Sequence, residues 1–338
     1  MRLSRGVPRA SGSSFPFSRF PLPGPRSLPA DAAVASVEAQ SGLLASPRVM
    51  AGERPRVLVT GASGMLGSDL TPALAGAGYD VYPRPRADLD VTDDEQVGSA
   101  FRELDPHVVV NCAAFTKVDA CETDPEAWAV NAHGVGVLSR ECLRHGTRLV
   151  QISTDFVFDG GKREPYTETD ETAPLSMYGR AKRAGEEAAL ESPAALVVRA
   201  SWLFGRGGWN FVEAILKQAE EGRSELSVVE DQRGKPTATT DLSEAIVALL
   251  AVNASGIFHF ANRGEVSWFD FAREILQLAE RDDVRLLPTS SAALGRPAAR
   301  PAYSVLDTSK YESLTGRSIR HFREPLAEYL AGRARPEA

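Results

Sequence analysis

Val57-Leu58-Val59 runs directly into Gly61-Ala62-Ser63-Gly64-Met65-Leu66-Gly67, after which Leu70 and Leu74 keep a helical spacing. A short apolar strand that turns through glycines into a helix restricts the fold more than any other local feature of this chain. Glycines let the backbone approach a pyrophosphate and let the helix pack close to the strand. The start of the helix adds free N–H groups at the positive end of its dipole. The spacing is G-x-x-G-x-x-G rather than the commoner G-x-G-x-x-G, and its weight comes from the order strand, motif, helix. The alternation then continues. Residues 79–82, 108–110, 149–152 and 195–199 read as strands, and helices are expected over 94–104, 125–145 and 178–191. This predicts an α/β fold, a Rossmann-like doubly wound parallel sheet. Beyond residue 200 the pattern is mixed, with helices expected near 211–221, 241–252 and 268–280 and a short strand at 256–260. We expect a dinucleotide-binding domain over 54–200. A smaller mixed α/β C-terminal substrate lobe over 201–332 would be partly interleaved with it.

Residues 1–50 differ from everything after them. They hold six arginines against two acids, Asp31 and Glu38, and the first thirty include six prolines and six serines. Such a segment cannot bury enough apolar surface to fold by itself, so it reads as a disordered tail or a mis-assigned start, with Met50 the true beginning. An organellar transit peptide shares the Arg/Ser bias, but the prolines oppose its amphipathic helix. This end is net positive, so the body is more acidic than the −7 of the whole chain. That argues against nucleic acid or an anionic membrane as the main partner. No apolar run approaches the ~20 residues of a membrane span. Three cysteines (Cys112, Cys121, Cys142), none in a C-x-x-C pair, make no disulfide framework, and a reducing cytoplasm is the expected location.

An acid at the end of the second strand would accept from the 2′-hydroxyl of NAD. The chain has Pro83-Arg84-Pro85-Arg86 there. Two arginines could neutralise a 2′-phosphate, which favours NADPH; as solvated surface residues they would leave NADH open. Further on, Tyr178-Gly179-Arg180-Ala181-Lys182 places a phenol and an ammonium four residues apart on one helical face. A nearby cation favours phenolate and makes proton transfer by tyrosine feasible at neutral pH. The pair gains weight from Ser153-Thr154 at the end of the fourth strand, where a doubly wound sheet opens on its cofactor crevice.

Together these motifs resemble the extended short-chain dehydrogenase/reductase superfamily, in its nucleotide-sugar branch, and within it the dTDP-4-dehydrorhamnose reductase family. The resemblance spans approximately residues 56–330 and is carried by several runs besides those above. They are the stretches 111–119, 153–160, 165–166, 174–175, 199–205, 210–211, 231–237, 241–242, 300–301 and 306–310, together with Asn131. It implies that Tyr178 protonates the sugar C4 oxygen as NAD(P)H delivers hydride to C4. Lys182 would lower the tyrosine pKa and bind the nicotinamide ribose, and Thr154 would hydrogen-bond the C4 carbonyl. Asp155 is implied as a substrate contact and Trp202 as a wall of the sugar-nucleotide pocket. Cofactor contacts would come from Gly61, Gly64, Met65, Leu66 and Gly67 at the pyrophosphate and from Asp90 and Val91 near the adenine. Ala113, Ala114 and Phe115 would follow the ribose and nicotinamide. The implied partner is dTDP-4-dehydro-L-rhamnose, a dTDP-linked 4-keto-6-deoxy sugar, and a homodimer is compatible with the family. Some members carry Mg²⁺ at a subunit contact, but no ligand cluster here demands a metal. Phe156 stands where the family commonly has tyrosine, which removes a hydroxyl and keeps the ring.

Two other readings are weaker. Sugar dehydratases of the superfamily carry T-D-E, whereas Phe156 follows Thr154 and Asp155. Regulatory subunits of methionine adenosyltransferase also keep the tyrosine and lysine, but Trp202, Asn210-Phe211 and 231–237 look like a reductase's own substrate lobe. Asp119, Glu122 and Asp124 read as acids at a helix start rather than metal ligands. The five histidines have no ligand spacing. Cys112 reads as a packed strand end, and Trp209 and Trp268 as packing or interface residues. Asn131 reads either as an organiser of the catalytic water network or as a satisfied buried amide.

Overall fold

The computed structural model describes residues 53–333, so the expectations for residues 1–50 fall outside it. Strands β1 (Arg56–Thr60), β2 (Asp80–Arg84), β3 (Val108–Asn111), β4 (Arg148–Thr154), β5 (Leu196–Ala200) and β6 (Gly256–Phe260) form one sheet. All of its pairings are parallel, and the order is β6-β5-β4-β3-β1-β2. Val57, Leu58 and Val59 have no exposed surface, and burial of each contributes about 1.5–3 kcal/mol. After β1 the chain builds β2 on one side and β3 on the other. The reversal opens a crevice at the carboxyl ends of these strands.

Helices cover both faces. Helix α1 (Met65–Gly76) packs with Leu66, Leu70 and Leu74 on one core, which also includes Leu242, Ile246 and Leu249. Helices α2 (Asp94–Leu104) and α3 (Gly134–His145) close the opposite face with Val97, Phe101, Val135 and Leu138. Local chemistry sets their ends. The Asp93 carboxylate accepts from the Glu95 and Gln96 amides and starts α2, while Gly146 in the left-handed region stops α3. Helix α4 (Met177–Ala189) starts at Ser176, whose hydroxyl accepts from the Gly179 amide at 3.2 Å.

A second core gathers Ile215 and Leu216 of α5 (Phe211–Glu220), Phe271 and Ile275 of α7 (Trp268–Leu278), Leu326 of α8 (Arg323–Ala331), Phe322 just before α8, and Phe204. It also takes Leu226 and Val228 of the parallel pair Glu225–Val229 and Arg285–Thr289. Between these elements the chain returns to the main sheet: α6 (Thr239–Ala251) joins the α1 core and leads into β6. Among the described residues no helix is long and apolar enough to cross a membrane.

Candidate active site

The glycine turn forms one wall of a cleft lined by Gly61, Ser63, Gly64 and, opposite, Cys112, Ala113, Ala114 and Phe115. Gly61 has φ +61°, and a Cβ there would lie 2.6 Å from the Ala113 nitrogen, so only glycine fits. A Cβ on Gly67 would strike the Ala62 backbone at 2.6 Å, which shows how closely α1 starts against the turn. On Gly64 it would meet only the Gly61 carbonyl, at a tight 3.3 Å. No side chain caps α1 and its first turn holds no acid. The amides of Met65, Leu66 and Gly67 therefore have no partner within the helix. A backbone-walled cradle with free donors and no competing carboxylate fits the diphosphate of a dinucleotide.

The far end of the cleft is lined by Arg86, Leu89, Asp90 and Val91. Asp90 accepts from the Thr92 hydroxyl and amide at 2.7 and 2.9 Å, and these bonds hold its carboxyl below the usual range. The two arginines part company. Arg84 ends β2 and its side chain turns to Glu103 on α2, 3.7 Å away, outside the cleft. Arg86 lines the cleft and is paired with Glu126, with Asp90 at 3.9 Å.

Thr154 ends β4, and Tyr178 and Lys182 lie on the first turns of α4. The Thr154 Oγ1 accepts from the Phe156 amide at 3.2 Å and donates to Asp155 Oδ1 at 3.0 Å. Phe156 meets the Tyr178 ring edge-on, with centroids 5.8 Å apart, so the ring retained at this position packs directly on the tyrosine. Burial pushes the Tyr178 pKa above its ordinary value, partly offset by the neighbouring Thr154 hydroxyl. Lys182 is buried and donates from Nζ to the Ile152 carbonyl at 2.6 Å; burial brings its pKa down to about 8, against the pull of Glu186. Glu186, one turn further along α4, is held bidentately by Arg199 at 2.8 and 2.7 Å. The groups acting on Tyr178 are thus Thr154, Asp155 and Cys121, while Lys182 is turned to the backbone of β4.

Asp155 is 2% exposed, and besides Thr154 it accepts from the Ser304 hydroxyl at 2.5 Å. Trp202, at φ +49°, stacks face to face on Trp268 at 3.5 Å, which takes one face of the ring expected to wall the sugar pocket. Asn131 binds both polar groups of Phe115: its Oδ1 accepts from the amide at 3.0 Å and its Nδ2 donates to the carbonyl at 2.9 Å. It is a satisfied amide that fixes one wall of the cleft. The three acids of the following loop are all committed. Asp119 receives Arg300 through two bonds of 3.0 Å, Glu122 accepts from the Met177 amide, and Asp124 caps the Glu126 amide. Among the described residues no three His, Cys, Asp or Glu side chains are grouped to hold a metal.

The family model for the RmlD substrate binding domain matches residues 55–334. The chain belongs to this family of dTDP-sugar reductases. As such it is an NAD(P)H-dependent oxidoreductase. It is 46% identical to a dTDP-4-dehydrorhamnose reductase of Streptomyces griseus, over 83% of this chain and 96% of that one. A probable dTDP-4,6-dihydroxy-2-methyloxan-3-one 4-ketoreductase of Streptomyces antibioticus is 44% identical, over 81% and 94%. The fold superposes with a TM-score of 0.79 on the crystal structure of dTDP-4-dehydrorhamnose reductase from Bacillus anthracis in complex with NADP, at 38% identity over 82% and 99% of the two chains.

Sequence reasoning on this reductase missed Ser63, Leu89, Cys112 and Val130 as walls of the cleft, and Ser304 and Arg300 as partners of Asp155 and Asp119. Cys112 packs against the core as expected of a small apolar residue and also lines the cleft, with burial pushing its thiol up to about 12. The cleft walls follow from strand ends that the pattern already located, whereas Ser304 had no local signal.

Proposed function

We propose that the chain reduces dTDP-4-dehydro-L-rhamnose to dTDP-L-rhamnose with NADPH, Tyr178 being the proton donor. The observation that supports this most is Tyr178 beside Thr154 at the carboxyl end of β4, with Lys182 of the same helix held on the Ile152 carbonyl and acting on Cys112 of the cleft wall. The cradle amides and Gly61, Gly64 and Gly67 would hold the diphosphate, Asp90 and Val91 the adenosine half, and Ala113 to Phe115 the nicotinamide half. The reduced nicotinamide supplies the hydride that forms the new C4–H bond. Thr154 hydrogen-bonds the C4 oxygen and polarises the carbonyl. Because burial keeps Tyr178 protonated at neutral pH, its O–H bond is available to break as the O4–H bond forms. Lys182, charged below about 8, would reach the ribose hydroxyls. Arg86, the one of the two arginines at the cleft, supports the NADPH preference. The work is cytoplasmic in this reading.

Relatives of similar identity carry names for different keto sugars, so the sugar is the part to test. Steady-state oxidation of NADPH and NADH should be followed with dTDP-4-dehydro-L-rhamnose and with the corresponding 4-keto-6-deoxy-D-glucose compound. We expect kcat/KM for the L-rhamnose precursor to exceed that for the other sugar by at least about tenfold, and NADPH to be the better donor. A higher kcat/KM for the D-glucose compound would reassign the substrate and leave the reaction class intact.

A further inference from the structure

Thr154 has one hydroxyl proton and two claims on it. As a group that polarises the C4 carbonyl it must donate into the cleft, towards Tyr178 and the sugar. In the structure its proton goes the other way, to Asp155 Oδ1 at 3.0 Å, while one of its lone pairs takes the Phe156 amide at 3.2 Å. Asp155 is 2% exposed and its second oxygen accepts from Ser304 at 2.5 Å, so both carboxylate oxygens are engaged within the protein. We propose that Asp155 and Ser304 are positioning residues whose hydrogen bonds decide whether the Thr154 proton points away from the substrate or at it. This rests on the reading of Thr154 as the group that binds the C4 oxygen.

The chemistry follows from the donor count. Ser304 donates to Oδ2, so a proton gained by Asp155 sits on Oδ1, facing Thr154. Protonated Asp155 then donates to the remaining lone pair of Thr154. The threonine hydroxyl turns its proton into the cleft, where O4 accepts it beside the Tyr178 phenol. Ionised Asp155 takes that proton back. The exchange moves no proton to the sugar except the one from Tyr178; it changes only which oxygen the threonine serves.

The carboxyl titrates where this matters. Burial pushes Asp155 up to about 7, against the Ser304, Thr154 and local amide bonds, with no neighbouring charge in the balance. The titrating group that faces it is Tyr178 of α4, raised out of range. Charged Asp155 also raises the Tyr178 pKa.

The test is the pH profile of kcat and KM for wild type, Asp155→Asn and Ser304→Ala with a keto sugar the wild type turns over. Wild type should lose kcat as pH rises through about 7, separately from a later fall near 8 from Lys182. Asp155→Asn should lose the fall near 7, keep the later one, and lower kcat by about tenfold or less with KM within about threefold. Ser304→Ala removes a bond that holds the Asp155 pKa down, so its first fall should move to higher pH. Cofactor binding by both variants shows that they are folded. An unchanged first fall in Asp155→Asn, or a loss confined to KM, would overturn the proposal and leave Asp155 a direct substrate contact. Absence of turnover by the wild type would instead refute the reductase reading on which the proposal rests.

Discussion

Asp155 and His259 are buried side chains whose effects on stability run in opposite directions with pH. His259 has no exposed surface and is pushed down to about 3 by burial and by Arg199. Below the ordinary 6.5 the unfolded chain therefore binds a proton that the fold refuses, and stability falls as pH drops from 6.5. Asp155, raised from 3.8 to about 7, does the reverse. Its contribution is fully present below 3.8 and is lost as pH rises through about 7. Between about pH 4 and 6.5 the two slopes offset each other, each being worth about 1.4 kcal/mol per pH unit at most. Urea unfolding of Asp155→Asn between pH 6.5 and 5 should thus show stability falling with acid, and His259→Asn should show it rising. The same slope in both variants and wild type would contradict these burial effects. Neither residue's environment is local in sequence. Ser304 lies 149 residues from Asp155, and His259 lies 60 from Arg199. Thr154, Tyr178 and Lys182 were legible because a strand end and one helical turn define their positions.

Helix 125–145 was expected as one run, and the structure divides it. Residues Glu126–Trp128 form a single turn, Ala129–His133 widen into a π turn, and only then does α3 begin. Apolar spacing cannot reveal one extra residue per turn, which keeps the same buried positions over so short a stretch. The widened turn presents Asn131 to the Phe115 backbone and its own carbonyl to α4, where a Cβ on Gly185 would lie 2.3 Å from the Asn131 oxygen. Gly185→Ala should therefore force α4 and the turn apart, costing about 1–3 kcal/mol in urea unfolding. It should also weaken cofactor binding through the displaced Phe115 wall. Unaltered stability and an unaltered cofactor Kd would show that the close approach is not required. The end of β2 carries the parallel lesson. Arg84 and Arg86 are equivalent in sequence, but the first is still in the strand and pairs across to Glu103, while the second lies beyond it and reaches the cleft.

On the scale of the molecule, the glycine turn and the βα alternation sufficed to place five strands of the main sheet. The sixth, β6, pairs with β5 only after the chain has built most of a second core, so its position depends on long-range packing that no window of sequence contains. The segment 296–306 shows the same dependence. Arg300 grips Asp119 beyond β3, Ser304 grips Asp155 beyond β4, and the Ser304 amide donates to the Arg233 carbonyl at 2.9 Å. A late stretch of chain thus buttresses two strand ends of the cofactor half and the substrate half together. Such a site is completed only when the whole body is folded, and in the proposed reaction its chemistry converges on one phenol. The direct measurement is single-turnover reduction of dTDP-4-dehydro-L-rhamnose by saturating NADPH, comparing wild type with Tyr178→Phe and measuring NADPH affinity for both. Loss of the proton donor should slow the reduction by at least about 100-fold while the NADPH Kd stays within about threefold. Equal rates of reduction in the two proteins would contradict the assignment of Tyr178 as the proton donor.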